Sequence, residues 1–515
     1  MTSILNVPTE LLLEAAHCLP PRDLCHLSLV SRHIQGIAQA ALYRSLIIPE
    51  PRYTSSKSQV PYLARTLIAR PDLAIKVKNL SVVAMERRVR FRRPKAFLSD
   101  VEKILRGLRV WTQDTLTRTI PLDGGHSVAV EPWLAHIKER WEPALCGLLL
   151  ALTSNLETLS IEIINWDFTY RTPFPYNDSG ADPHVESAIE QLFCQPDKPL
   201  WRTDLTSIPG LRNLRELAFA GRSLETAWAS LPKLKHLDLS RHVDYYAPTK
   251  AIDSPLTSLE IQCRTTIFIP LSKSHLHFDQ MLLGFQRLRH VFLFFDNFLN
   301  DVTHTNYRLL PHNNHGTWAT LIERLKPISN HLETLVLDLE DDADVSWMNY
   351  VDGGVRLEEF TTLNTLTIPA EVLFSKQEVE GGEEEPELGQ VPAISQPGFP
   401  GMYVKNPPTI HLLRSLPPNI DILTILAPKT DIWEWMDRLV DNCAAWPMLK
   451  TVDLYCRNDR GDAYTAILDA EKTQKGDVRS KFERAGIALR ISSRAGVFEK
   501  SGDSDDETGD EYEEW

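Results

Sequence analysis

Few residues in this chain have the type and spacing that chemistry demands. His275-Leu-His277 and His312-Asn-Asn-His315 have spacings that can hold a metal. A metal site needs three or four convergent ligands, and no cysteine pair or acidic motif accompanies either pair. Glu340-Asp341-Asp342 sets carboxylates side by side, a pattern that suits a solvated strand end better than a general acid–base pair. The chain has no glycine-rich phosphate cradle, no H-E-x-x-H and no G-x-S-x-G. No catalytic residue, metal or cofactor is therefore expected, and the chain is read as a non-enzyme. The basic run Arg87–Lys95 (RRVRFRRPK) is the one concentrated positive feature. It would suit nuclear import or a polyanion contact, but a solvated loop or an arm paired with the chain's own acidic tail is the favoured reading. In that tail, Ser504-Asp-Asp-Glu507 and Thr508-Gly-Asp-Glu511 would suit an acid-directed kinase.

Charge and cysteine content narrow the class further. The net charge is −14, of which residues 499–515 carry −8 and residues 376–387 carry −5. The remaining body is close to neutral, so nucleic acid is not an expected partner. The seven cysteines include no C-x-x-C pair, which points to reduced thiols in the cytosol or nucleus rather than a disulfide framework or zinc site. The first twenty residues have no basic segment ahead of an apolar one, so no secretory signal is expected. The longest apolar run, Ala144–Leu152, is about half of what a membrane-spanning helix needs. No membrane partner is expected.

Residues Leu5–Leu46 read as three short helices. Pro8, Thr9 and Glu10 open the first, and Leu11, Leu12, Ala15, Ala16 and Leu19 recur at helical spacing. Pro20-Pro21 stops it, and Asp23 is placed to cap a second helix carrying Leu24, Leu27 and Val30. Ser31 breaks that helix, and Ile34, Ile37, Ala38 and Leu42 form a third set. The segments Val7-Pro8-Thr9-Glu10-Leu11-Leu12, Leu19-Pro20-Pro21-Arg22-Asp23-Leu24 and Leu27–Arg32 resemble, in order, the three phrases of the F-box family. The ending Leu42-Tyr43-Arg44 is similar to fungal members. The resemblance covers about 40 of 515 residues; it departs at Val7, at Ala15-Ala16 and at Ile34, where Trp is frequent.

The remainder repeats one phrase, apolar-x-x-apolar-x-apolar, ten times, with leading residues Val77, Leu156, Leu214, Leu234, Leu256, Leu288, Leu332, Leu363, Ile420 and Leu449. The alternating end suits a half-buried strand, and the series resembles leucine-rich repeats. The spacings run from 20 to 79 residues against the usual 20–29, and the asparagine that normally follows the strand is missing. The fold class expected is therefore α/β: a three-helix F-box at residues 1–48, then an irregular leucine-rich-repeat-like solenoid with parallel strands and intervening helices over 60–498. Residues 376–408, rich in Gly, Pro and Glu, are expected to be a disordered insertion and 499–515 a disordered tail. Ser99-Asp-Val-Glu102 matches a capping box and should open a helix bearing Val101, Ile104, Leu105 and Leu108.

The resemblance implies a substrate-recognition subunit of an SCF-type cullin–RING ubiquitin ligase. The F-box would bind a Skp-type adaptor through Val7, Pro8, Leu11, Leu12, Leu19, Pro20, Leu24, Leu27, Val30, Ser31, Arg32 and Ile34. Cullin and RING subunits would follow through the adaptor. A target protein would bind the concave strand-lined face. There, one outward row runs Ser160, Ala218, Asp238, Glu260, Phe292, Val336, Thr367, Thr424, Asp453 and its neighbour Thr158, Glu216, His236, Ser258, His290, Thr334, Thr365, Ile422, Thr451. Asp238, Glu260, Phe292, His236 and His290 are the candidate target contacts. The alternative is a non-catalytic scaffold acting outside the ligase. The expected localisation is cytoplasmic or nuclear.

Overall fold

Each of the ten phrases becomes a strand in the computed structural model, and each strand begins two residues after its leading apolar residue. The structure describes residues 7–49, 58–92, 94, 96–108, 130–164, 188–194, 205–221, 223–241, 244–246, 254–263, 278, 281–282, 284–295, 318–339, 356–370, 416–428, 430, 432–456, 462–473 and 477–493. The two histidine pairs, Glu340–Asp342, residues 376–408 and the tail at 499–515 lie outside them. The chain divides into two compact units, Met1–Gly316 and Thr317–Trp515.

The first unit opens with α1 (Thr9–His17), α2 (Pro21–Leu27) and α3 (Arg32–Arg44). There follow β1 (Ser45–Ile48), α4 (Val60–Ala69), α5 (Pro71–Ala74), β2 (Asn79–Met85), α6 (Phe97–Gly107), α7 (Val130–Glu139), α8 (Glu142–Leu152) and β3 (Thr158–Ile164). The strands β4 (Glu216–Ala220), β5 (Ser223–Glu225), β6 (His236–Arg241), β7 (Asp244–Tyr246), β8 (Ser258–Cys263) and β9 (His290–Phe295) complete it. The main sheet of this unit runs β1-β2-β3-β4-β6-β8-β9, every pair parallel; β5 and β7 pair separately. The second unit has β10 (Thr334–Leu339), β11 (Thr365–Pro369), β12 (Ile422–Leu426), β13 (Thr451–Cys456) and β14 (Ala488–Ser493), also parallel in order.

The repeat is physical as well as textual. All three apolar positions of every phrase are buried, as the hydrophobic effect requires of a strand with one dry face. The carbonyl after the leading residue accepts two backbone N–H groups from the next repeat: Lys78 O from Glu157 and Thr158, Glu157 O from Arg215 and Glu216, Arg215 O from Lys235 and His236. The same fork recurs in the second unit at Glu333, Asn364 and Asp421. Asparagine is used one residue ahead of the leading position instead of after the strand. Asn155 Nδ2 donates to Ile75 O at 2.7 Å, Asn213 Nδ2 to Ser154 O at 3.1 Å and Asn419 Nδ2 to Thr361 O at 2.6 Å.

The apolar run at 144–152 is α8, buried on all sides, as a helix without a polar face must be. Gly147 lets the helix Ala188–Phe193 close on it: a Cβ there would stand 2.1 Å from Leu192 O. Two local expectations are corrected. The helix at the capping-box match starts at Phe97, two residues before Ser99, because Phe97 is buried edge-on against Phe91 with ring centroids 5.7 Å apart. Asp23 is not a cap; Pro21 takes the first helical position of α2 and Asp23 lies in its first turn. Over the described part of the basic run, Arg88, Arg90 and Arg92 are exposed, as a solvated loop would have them. Val89 and Phe91 are buried, Arg88 pairs with Glu139 at 2.7 Å, and Arg87 Nε lies 3.8 Å from Glu142. Glu142 is itself buried and accepts a hydrogen bond from Ser58 Oγ. Burial pushes its carboxyl above the usual range, against the Ser58 bond and the Arg87 charge.

Candidate functional site

The three N-terminal helices close on a very small core. Ala16, Leu24, Ile37 and Ala41 form it, with Leu12, Leu13, Leu27 and Leu42 packed around. Ser31 caps α3 by accepting the Ile34 N–H at 3.2 Å. The N4 position of that cap is Gln35, so no hydrophobic staple absorbs Val30. The Arg44 guanidinium, at the end of α3, lies 3.4 Å from the His17 Nε2 in the last turn of α1.

Of the ten large apolar side chains exposed among the described residues, five fall between Val7 and Val30. Leu29 is 83% exposed, Val30 67% and Leu11 61%, with Val7 and Leu19 less so. Pro8, Pro20 and Arg32 are exposed, and Leu12, Leu27 and Ser31 half-buried. Leu24 and Ile34 are placed differently from the expectation: at 4% and 2% exposure both are interior, and Leu24 belongs to the core that joins the helices. Leu29 was not among the expected residues. It lies outside the helical period, in the turn whose N–H donates to His26 O at 3.0 Å. The only signal for it was the apolar pair Leu29-Val30 immediately before a capping serine.

The five expected target contacts come together on the outward face of the first unit. In register, His236 neighbours Ser258 and then His290, while Asp238 neighbours Glu260 and then Phe292. All are half-buried, and His236 Nδ1 lies 2.9 Å from Ser258 Oγ. Burial, and next the charge of Asp238, hold the Glu260 carboxyl above its usual range. The boundary expected at residue 48 coincides with the end of β1. Strand β1 follows α3 with no intervening residue and pairs with β2 from Ser45↔Asn79 to Ile48↔Val82.

Comparison with curated proteins finds no match. The F-box-like family model matches residues 4–49, the span of α1 to α3 and β1. Domains of this type act in general as adaptors for substrates rather than as enzymes. The exposed apolar set, the three-helix core and this match converge: the N-terminal region of the chain is an F-box-like domain, the kind that implies a Skp-type adaptor within an SCF complex.

Proposed function

We propose that the chain is the substrate-recognition subunit of an SCF-type cullin–RING ubiquitin ligase. The supporting observation is the concentration of exposed Val7, Leu11, Leu19, Leu29 and Val30 on so small a unit. Each buried aliphatic side chain contributes roughly 1.5–3 kcal/mol of apolar transfer, and a few central anchors dominate most interfaces. These residues dock the adaptor, and cullin and RING subunits follow through it. The repeats, read as leucine-rich-repeat-like, present the outward sheet face to a target protein. The chain breaks no bond itself; it raises the effective concentration of target near a charged conjugating enzyme. Reduced cysteines and a neutral body fit a cytoplasmic or nuclear setting.

The test is co-purification of the full chain with a co-expressed Skp-type adaptor and cullin, beside Val30→Asp and Leu11→Asp. Both residues are exposed, so both variants should melt like the wild type while losing the adaptor at least tenfold. Leu24→Asp is unsuitable, because a carboxylate in that core would unfold it. Retention of the adaptor by both surface variants overturns the docking reading, and an adaptor complex without cullin favours a scaffold outside the ligase.

A further inference from the structure

The outward face of the first unit has an uneven chemistry. Its two central rows, read across β1, β2, β3, β4, β6, β8 and β9, are Ser45, Asn79, Thr158, Glu216, His236, Ser258, His290 and Ile47, Ser81, Ser160, Ala218, Asp238, Glu260, Phe292. These fourteen positions hold three carboxylates and neither lysine nor arginine. The cations stand one residue earlier, at the strand entries: Arg44, Lys78, Arg215, Lys235 and Arg289. The second row begins at Ile47, which is 73% exposed, passes over the short side chains Ser81, Ser160 and Ala218, and reaches Asp238, Glu260 and Phe292. The row thus has an exposed isoleucine at one end and a half-buried phenylalanine at the other, with two neighbouring carboxylates beside the phenylalanine.

We infer that this face recognises an extended target segment laid across the strands, with an apolar residue on Ile47 and a lysine or arginine between Asp238 and Glu260. The inference rests on the receptor reading above and names the chemistry of its target. Adjacent strands are about 4.8 Å apart, so the four steps from Ile47 to Asp238 span about 19 Å. At about 3.3 Å per residue of extended chain, the two anchors are about six residues apart. The short residues between leave room for the peptide backbone. A guanidinium fork matches two neighbouring carboxylates, and a cation there relieves the repulsion that Asp238 places on Glu260. An apolar residue next along the segment meets Phe292.

The test uses the full chain in complex with its adaptor, panned with a displayed library of random twelve-residue peptides. The expected winners carry an apolar residue and a Lys or Arg about six positions apart, and lose at least tenfold in binding to Glu260→Lys and to Ile47→Asp. Both variants should keep the adaptor and the wild-type melting temperature. No enrichment, enrichment of acidic peptides, basic winners without the spacing, or undiminished binding to both variants each overturns the inference. Failure of the receptor reading is seen separately, as loss of adaptor from the wild-type chain; a selected peptide that still needs Glu260 and Ile47 would then keep the recognition and remove the ligase.

Discussion

Leu24 and Val30 are six positions apart in one helical unit and do opposite work. Leu24 is core, so Leu24→Ala should cost about 2–5 kcal/mol of that unit's stability. Val30 is in water, so Val30→Ala should stay within about 0.5 kcal/mol; urea unfolding followed by helix content separates the two. A second residue-scale effect belongs to Glu142. Burial raises its folded-state pKa above the unfolded value, so the folded protein keeps that proton longer. Its contribution to stability is undiminished below the unfolded pKa, near the ordinary glutamate value of about 4.3. It declines as pH rises from there through the raised value. Glu142→Gln keeps a partner for Ser58 and cannot ionise. Its melting temperature should gain on the wild type across that rise, and a constant difference at all pH values would refute the assignment.

Among the elements, α8 is buried on all sides, and Gly147 is where the helix Ala188–Phe193 approaches it closely. Gly147→Ala would press a methyl group against Leu192 O and should cost about 1–3 kcal/mol through overpacking. Gly36, within α3, has nothing within 4 Å of a Cβ, so Gly36→Ala should instead stabilise by up to about 1 kcal/mol; thermal melts of the two variants should move in opposite directions. The same packing logic explains what could be read from sequence. Ten strands were legible because three buried apolar positions recur at fixed offsets. β1 was hidden because Tyr43 holds the leading position and reads as the end of a helix. β14 was hidden because Gly486, at φ 74°, holds it. In the N-terminal unit the leucines and isoleucines were legible, but not which of them faced inward. Burial of Leu24 and Ile34 depends on how three helices cross, which no helical period encodes. Exposure of Leu29 depends on a turn.

At the scale of the molecule, its first unit joins the F-box-like helices to the sheet with no linker between Arg44 and Ser45. Lys78 N–H donates to Arg44 O at 2.9 Å, so the junction is bonded to β2 from its first residue. Inserting a flexible Gly-Ser segment between Arg44 and Ser45 should leave adaptor binding intact and reduce ubiquitin transfer to a bound target, measured in a reconstituted reaction; unchanged transfer would show that the junction's stiffness is irrelevant. Receptors on long tethers let a captured protein tumble, and many of its lysines come within range. On the proposed receptor reading, a chain built this way would act as a calliper. The gap between adaptor and target would then be set by the crossing of one helix and one strand, so the lysines modified should be few, the same in every molecule, and chosen by their distance from the bound segment rather than by their surroundings.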